Sequence, residues 1–202
     1  MGGEVLKSFQ APGTQTSGLG FDGEHLWAAD MDSGLIYELD INGNILSSFT
    51  AAGSSPSGIA IVENCIWCID TISRRVYQYS KSGQMLKKIQ LSGFTAFGLS
   101  FNGRLLCVSD TASNKITLWT DDGNKILTLP GPGALPAGIA SDGAYLWIGD
   151  YSTDKIYQIT FDGEKIKEFT APAGITKGLG FDGKHLWISD IGTDLIYQVS
   201  IN

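Results

Sequence analysis

Gly178-Leu179-Gly180-Phe181, the pair Asp182-Gly183, His185-Leu186-Trp187-Ile188-Ser189, the segment from Asp190 to Asp194, and Leu195-Ile196-Tyr197-Gln198-Val199 follow one another almost without a gap. Each apolar run has strand length, and each is bounded by turn residues. Asp-Gly suits a tight hairpin because glycine tolerates positive φ. The stretch therefore predicts three antiparallel strands. A fourth short strand precedes it at Gly163 to Phe169, ahead of the loop Ala171-Pro172-Ala173-Gly174.

The same pattern recurs every 40 residues, with neither insertion nor deletion. Gly3, Gly43, Gly83, Gly123 and Gly163 hold one frame, and Asp30, Asp70, Asp110, Asp150 and Asp190 hold another. The repeats are 3–42, 43–82, 83–122, 123–162 and 163–202, read as one domain spanning 1–202. A lone four-stranded sheet with apolar residues on both faces is marginal, so equivalent sheets must cover one another. Packing five of them around an axis gives an all-β fold, a five-bladed β-propeller with four antiparallel strands per blade.

The phase of the repeat decides how the ring closes. Within a blade, the Gly178-Leu179 strand is innermost, and the outermost strand comes from the start of the next repeat, as Asn44 to Phe49 does after Leu35 to Leu39. After Val199 the chain ends, so the missing strand is predicted to be Glu4 to Phe9. The N-terminal strand then completes the last blade. Residues 3–42 and 163–202 agree at 22 of 40 positions, as neighbours in a closed ring can.

Most recurrent residues read as framework. Trp27, Trp67, Trp147 and Trp187 share one position, with Cys107 in the fifth copy. They are expected to pack blade against blade, received by the small residues at 20, 60, 100, 140 and 180. Trp119 is expected to compensate partly for Cys107. Each recurrent aspartate precedes a hydroxyl three residues later (Ser33, Ser73, Ser113, Thr153, Thr193) and is read as turn support. Asp22, Asp142 and Asp182 read as hairpin residues. Tyr37, Tyr77, Tyr157 and Tyr197 read as sheet residues with wet hydroxyls.

Composition bounds the function. The formal charge is -7 and there is no basic stripe, which disfavours nucleic-acid binding. No apolar run approaches the 18 residues or so of a membrane span. Cys65, Cys68 and Cys107 are odd in number and read as thiols without a metal or disulfide role. His25 and His185 share one repeat position beside a hairpin and suggest no catalytic role. No serine–histidine–acid set, carboxylate pair or phosphate-cradling glycine loop emerges.

Binding is expected where the repeats differ, in the loops at the end of the ring where the innermost strands begin. One loop set supplies Gln15, Thr16, Ser55, Thr95, Thr176 and Lys177. The other supplies Asp32, Thr71, Thr111 and Tyr151, with Arg74, Asn114, Asp154 and Asp194 at the outer rim. Together they are read as a funnel for a ligand.

Gly178-Leu179, the Leu186-Trp187 to Asp190 spacing, Ile196-Tyr197 and Asn42-Gly43 resemble the repeats of the NHL, SMP-30 gluconolactonase and streptogramin lyase propeller group. The resemblance covers the whole chain and rests on framework residues; relatives in that group commonly have six or seven blades. It implies a propeller. For its lyase members it implies a histidine with acidic help around magnesium, and for its lactonase members a divalent metal held by acidic and amide side chains at the channel. His25 and His185 lie at the other end of the ring, and Asn102 lies at a strand-end turn, so neither set is matched.

The expected function is therefore noncatalytic binding of a small molecule, glycan or protein at the funnel, with no cofactor and no metal. A metal-dependent lactonase or lyase-like enzyme is one alternative. A structural repeat protein, an engineered chain or a part of a larger assembly is another. The chain is expected to be monomeric, without membrane insertion, and cytoplasmic, or secreted if a leader has been removed.

Overall fold

In the computed structural model, which describes residues 2–91 and 95–202, twenty strands form five four-stranded antiparallel sheets. β1 (Val5–Gln10) opens the chain. Blade one is β2 (Thr16–Phe21), β3 (Leu26–Asp30), β4 (Leu35–Leu39) and β5 (Ile45–Thr50). Blade two is β6 (Pro56–Val62), β7 (Cys65–Asp70), β8 (Arg75–Ser80) and β9 (Met85–Gln90). Blade three is β10 (Ala96–Phe101), β11 (Leu106–Asp110), β12 (Lys115–Trp119) and β13 (Lys125–Pro130). Blade four is β14 (Pro136–Ser141), β15 (Leu146–Asp150), β16 (Lys155–Ile159) and β17 (Lys165–Thr170). Blade five contains β18 (Thr176–Phe181), β19 (Leu186–Asp190) and β20 (Leu195–Val199).

The fourth strand of blade five is β1. It pairs antiparallel with β20, Phe9 opposite Ile196 and Gln10 opposite Leu195. The N-terminal strand thus completes the last blade, as the repeat phase predicts. No helix is long and apolar enough to cross a membrane among the described residues.

Burial follows position in the blade. Second strands such as β3, β11, β15 and β19 are buried at every residue, because each is covered on both faces by a neighbouring blade. Outer strands such as β5 and β17 are exposed along most of their length. The innermost strands approach one another so closely that glycine is required. A Cβ on Gly18 would overlap the Ser57 carbonyl, and one on Gly178 would stand 3.0 Å from the Ser17 carbonyl, which closes the ring from β18 to β2.

Five apolar clusters fill the five interfaces. Trp27 faces Ile59 and Ile66 of blade two, Trp67 faces Leu99 and Leu106 of blade three, Trp147 faces Leu179 and Leu186 of blade five, and Trp187 faces Leu19 and Leu26 of blade one. The tryptophans therefore pack blade against blade, as expected. Their seat differs from the expectation. Gly20 lies opposite Trp27 in the same sheet, and a Cβ there would press on Ile59 and Ile61, so the small inner residues admit the neighbouring inner strand.

Trp119 does not stand in for Cys107. Trp119 lies with Trp67 between blades two and three, whereas Cys107 lies with Ile139 and Leu146 between blades three and four. Opposite faces of one sheet separate them, because residues 107 and 119 are not cross-strand partners: Cys107 pairs with Leu118 and Leu106 with Trp119. Burial pushes the Cys107 thiol up to about 12, as suits an inert core residue.

Candidate functional site

Four of the recurrent aspartates, Asp30, Asp70, Asp150 and Asp190, tie two loops together, and Asp110 accepts the Ala112 and Ser113 N–H within its own turn. Asp30 accepts the Ser33 N–H at 2.8 Å within its own turn and the Gln15 N–H at 2.8 Å in the incoming loop. Asp70 does the same with Ser73 and Ser55, both at 2.6 Å, and Asp190 with Thr193 at 2.9 Å and Ile175 at 2.6 Å. All five carboxylates are at most 2% exposed. All five support turns, as their spacing predicts, and Asp30, Asp70, Asp150 and Asp190 also hold the loop platform at this end of the ring.

On that platform Lys177 is the distinctive group. It stands second in β18, at the position held by Ser17, Ser57, Phe97 and Ala137 in the other blades. Its Nζ lies 4.8 Å from the Phe97 ring centre and 4.4 Å from that of Tyr151. Phe97 belongs to blade three and Lys177 to blade five, which are not neighbours, so their side chains meet across the mouth of the channel. Tyr151 reaches in from blade four between them. Among the described residues no carboxylate pairs with Lys177. Burial disfavours its charged form and lowers its pKa from the ordinary lysine value. The aromatic faces attract the ammonium in its charged form.

The other predicted residues divide by what holds them. Thr16 is buried and its hydroxyl donates to the Gly13 carbonyl at 3.0 Å. Thr71 donates to Ser55 Oγ at 3.0 Å, and Thr111 to the Pro136 carbonyl at 2.7 Å. These hydroxyls brace the loops. Thr176 is buried, with its hydroxyl unpartnered and its methyl beside Gly149, away from the mouth. Arg74, Asn114, Asp154 and Asp194 occupy the left-handed position of their turns, at φ 53 to 56, where blade one has Gly34. Their carbonyls accept the N–H of Leu91, Gly131, Ala171 and Ala11, so they form the outer wall. Gln15 contributes the backbone bond to Asp30. Asp32 and Thr95 are exposed, and Asp32 accepts from Thr14 at 3.3 Å.

Of the predicted set, the structure brings together Lys177 and Tyr151 at the axis. Phe97, which completes the group, is not among the predicted residues. At the far end of the inner strands, beside the hairpin turns, Phe21, Ile61, Phe101, Ser141 and Phe181 line a space of about 80 Å³, room for two or three waters.

The opposite end carries a second pattern, which sequence reading missed. The indole N–H groups of Trp27, Trp147 and Trp187 donate to Asp22, Asp142 and Asp182 at 2.9, 2.8 and 2.9 Å. These aspartates therefore do more than shape hairpins. Asp22 also meets Lys81 of blade two at 2.6 Å. His25 Nδ1 lies 2.9 Å from Glu38, and His185 Nδ1 lies 3.4 Å from Asp182, both at this end and away from Lys177. The tyrosines divide: Tyr77 and Tyr157 are largely buried, with hydroxyls 3.3 and 3.1 Å from Ser73 and Thr153, whereas the Tyr197 hydroxyl meets Thr193 at 3.1 Å on the exposed side, as expected.

A divalent metal does not fit the mouth. The groups that meet at its centre are an ammonium and two aromatic rings, most of the surrounding hydroxyls are engaged in bracing the loops, and no imidazole lies there among the described residues. Among the described residues no three His, Cys, Asp or Glu side chains gather in a metal-holding group.

No protein-family model matches the chain, and no curated protein matches it. Solved structures do. A glutaminyl cyclase from Myxococcus xanthus superposes with a TM-score of 0.82 at 14% identity, over 97% of this chain and 94% of that one. A virginiamycin B lyase from Staphylococcus aureus gives 0.61 at 21% identity, over 96% of this chain and 69% of that one. A streptogramin B lyase gives 0.61 at 17% identity, over 97% of both chains. The chain is a five-bladed propeller similar in fold to these proteins.

Proposed function

We propose that the protein binds a small molecule or a peptide terminus at the mouth of the ring, on Lys177. The observation that carries this reading is the partly buried Lys177, its ammonium held between Phe97 and Tyr151 and lacking a carboxylate partner among the described residues. Such a group favours a ligand that brings a carbonyl or carboxylate to the lysine and a flat apolar part to the rings.

A second reading makes the bound molecule a substrate. Burial lowers the proton affinity of Lys177, which moves an amine toward the range useful for proton transfer. Three propellers of similar fold are named as a cyclase and lyases. The fold likeness favours this reading, and the lack of a partnered base at the mouth among the described residues favours simple binding.

One experiment separates them. Glutaminyl peptides, virginiamycin B and quinupristin (the ligand of an inactive lyase of similar fold) are titrated into the protein and followed for binding and turnover. Binding that Lys177→Met weakens about tenfold or more supports the mouth as the site. Turnover lost in the same variant supports the enzyme. Binding that Lys177→Met leaves unchanged sinks both.

A further inference from the structure

The tryptophan of blade two lacks what its counterparts have. In blades one, four and five the indole N–H ends on an aspartate, but blade two has Val62 at that position. Trp67 is 3% exposed and its Nε1 is buried without a hydrogen-bond partner. The local backbone is rebuilt as well. Glu63 sits at φ 56 where the other blades have a glycine, and β6 runs on to Val62, which pairs with Cys65.

Beside this turn, between blades two and three, lies a cavity of about 230 Å³. Val62, Phe101 and Leu106 give it apolar wall, and Trp67, Gln78 and Arg104 also line it. Two carboxylates border it, Glu63 and Asp121. Asp121 is engaged by Lys87 at 3.4 Å, and Arg104 makes no ion pair among the described residues. The space holds roughly eight water volumes, enough for one ring and a small polar group.

We propose that this cavity binds a compact carboxylate with an apolar body. Its carboxylate takes the place that Asp22, Asp142 and Asp182 occupy in the sister blades. It accepts the Trp67 indole N–H once the Val62 side chain turns aside, and it pairs with Arg104. A buried N–H without an acceptor destabilises the blade, so an incoming acceptor gains more here than at a site whose donors are already satisfied. The ring of the ligand lies against Val62, Phe101 and Leu106. This site is at the opposite end of the propeller from Lys177 and is independent of the reading given for the mouth.

The test uses the full chain with sodium benzoate as probe and benzamide as the uncharged control. The indole N–H resonance of Trp67, assigned by its loss in Trp67→Phe, is followed by NMR. Benzoate is expected to move that resonance saturably, leave Trp27, Trp147 and Trp187 in place, and slow alkylation of Cys65, the one partly exposed thiol. Benzamide and Arg104→Gln are each expected to weaken the response about tenfold. Val62→Asp is expected to move the resonance without ligand and abolish the response; if that variant does not fold, Arg104→Gln and Cys65 protection decide. A Trp67 resonance unmoved by tens of millimolar benzoate overturns the proposal, as does a response that Arg104→Gln leaves unchanged.

Discussion

The ring of Phe9, in the first strand of the chain, lies 5.8 Å from the ring of Trp187, in the last blade. Its other side presses so closely on Gly43 that no Cβ fits there, and Gly43 also needs its φ of +89. One residue therefore links blade five to blade one. Phe9→Ala is expected to cost about 2–4 kcal/mol. Removing residues 1–10 is expected to abolish the cooperative melt, since it bares the β20 edge. A thermal melt of the truncated chain that matches the full one would contradict the closure.

The Trp147–Asp142 bond gives a cleaner test of the hairpin aspartates. Asp142→Ala leaves the indole N–H and the turn amides of Ala144 and Tyr145 without their acceptor. A loss of about 2–3 kcal/mol is expected in chemical denaturation. A loss no larger than that of an exposed aspartate would reduce the bond to a coincidence of the fold.

Acid should unfold the protein through these same groups. Burial pushes the Asp22 carboxyl up, but Lys81, the Trp27 indole and the amides of His25 and Glu24 outweigh it, so its pKa falls. Asp150 and Asp182 are likewise lowered, their hydrogen bonds overcoming burial. A carboxyl lowered in the folded state stabilises fully above its unfolded value of about 4, and that stability is lost as pH falls through the folded value. Unfolding is therefore expected below about pH 4. Lys81→Met should move the midpoint of an acid titration, followed by circular dichroism, to higher pH.

Lys177 has a dependence of the same sign in a more alkaline window. An amine whose pKa is lowered by folding makes stability rise with pH, through the window from its folded value to the ordinary lysine value of about 10.4. In reductively methylated protein its NMR signal is expected to titrate below those of the exposed lysines. Lys177→Met should flatten the rise in stability across that window.

Arg74 holds a left-handed backbone conformation at φ 56 where blade one has Gly34 at φ 68. Asparagine and aspartate tolerate this region better than arginine does. Arg74→Gly is expected to stabilise by up to about 1 kcal/mol, because relief of strain slightly outweighs the added freedom of the unfolded chain. A lower melting temperature would show that the Arg74 side chain contributes more than its backbone costs.

Much of the fold was legible because each blade repeats its own chemistry. Gly43, Asp30 and Trp27 recur at one spacing, and the phase of that spacing put Glu4 to Phe9 beside Leu195 to Val199. Contacts between blades were less legible. Cys107 and Trp119 looked interchangeable in volume, yet strand pairing sends them to opposite faces of one sheet. The candidate loops were located, but most of their hydroxyls turned inward to hold backbone, as Thr16 and Thr111 do. The pairing of Lys177 with Phe97 depends on two blades meeting across the axis, which no local pattern reveals. The orphaned Trp67 was written in the series Asp22, Val62, Asn102, Asp142, Asp182, but its meaning needed the Trp–Asp bond.

The pairing of β1 with β20 also sets a timetable. Blades one to four can each assemble from contiguous chain as it leaves the ribosome. The fifth cannot, since its outer strand is made first and its other three last. At ordinary synthesis rates β1 waits tens of seconds for its partner, with Phe9 lacking its contact on Trp187. Closing so long a loop also raises contact order and slows the final step. The nascent protein is thus most vulnerable to edge-to-edge aggregation just before its last strand emerges, and a holdase that masks Val5 to Gln10 would raise its yield.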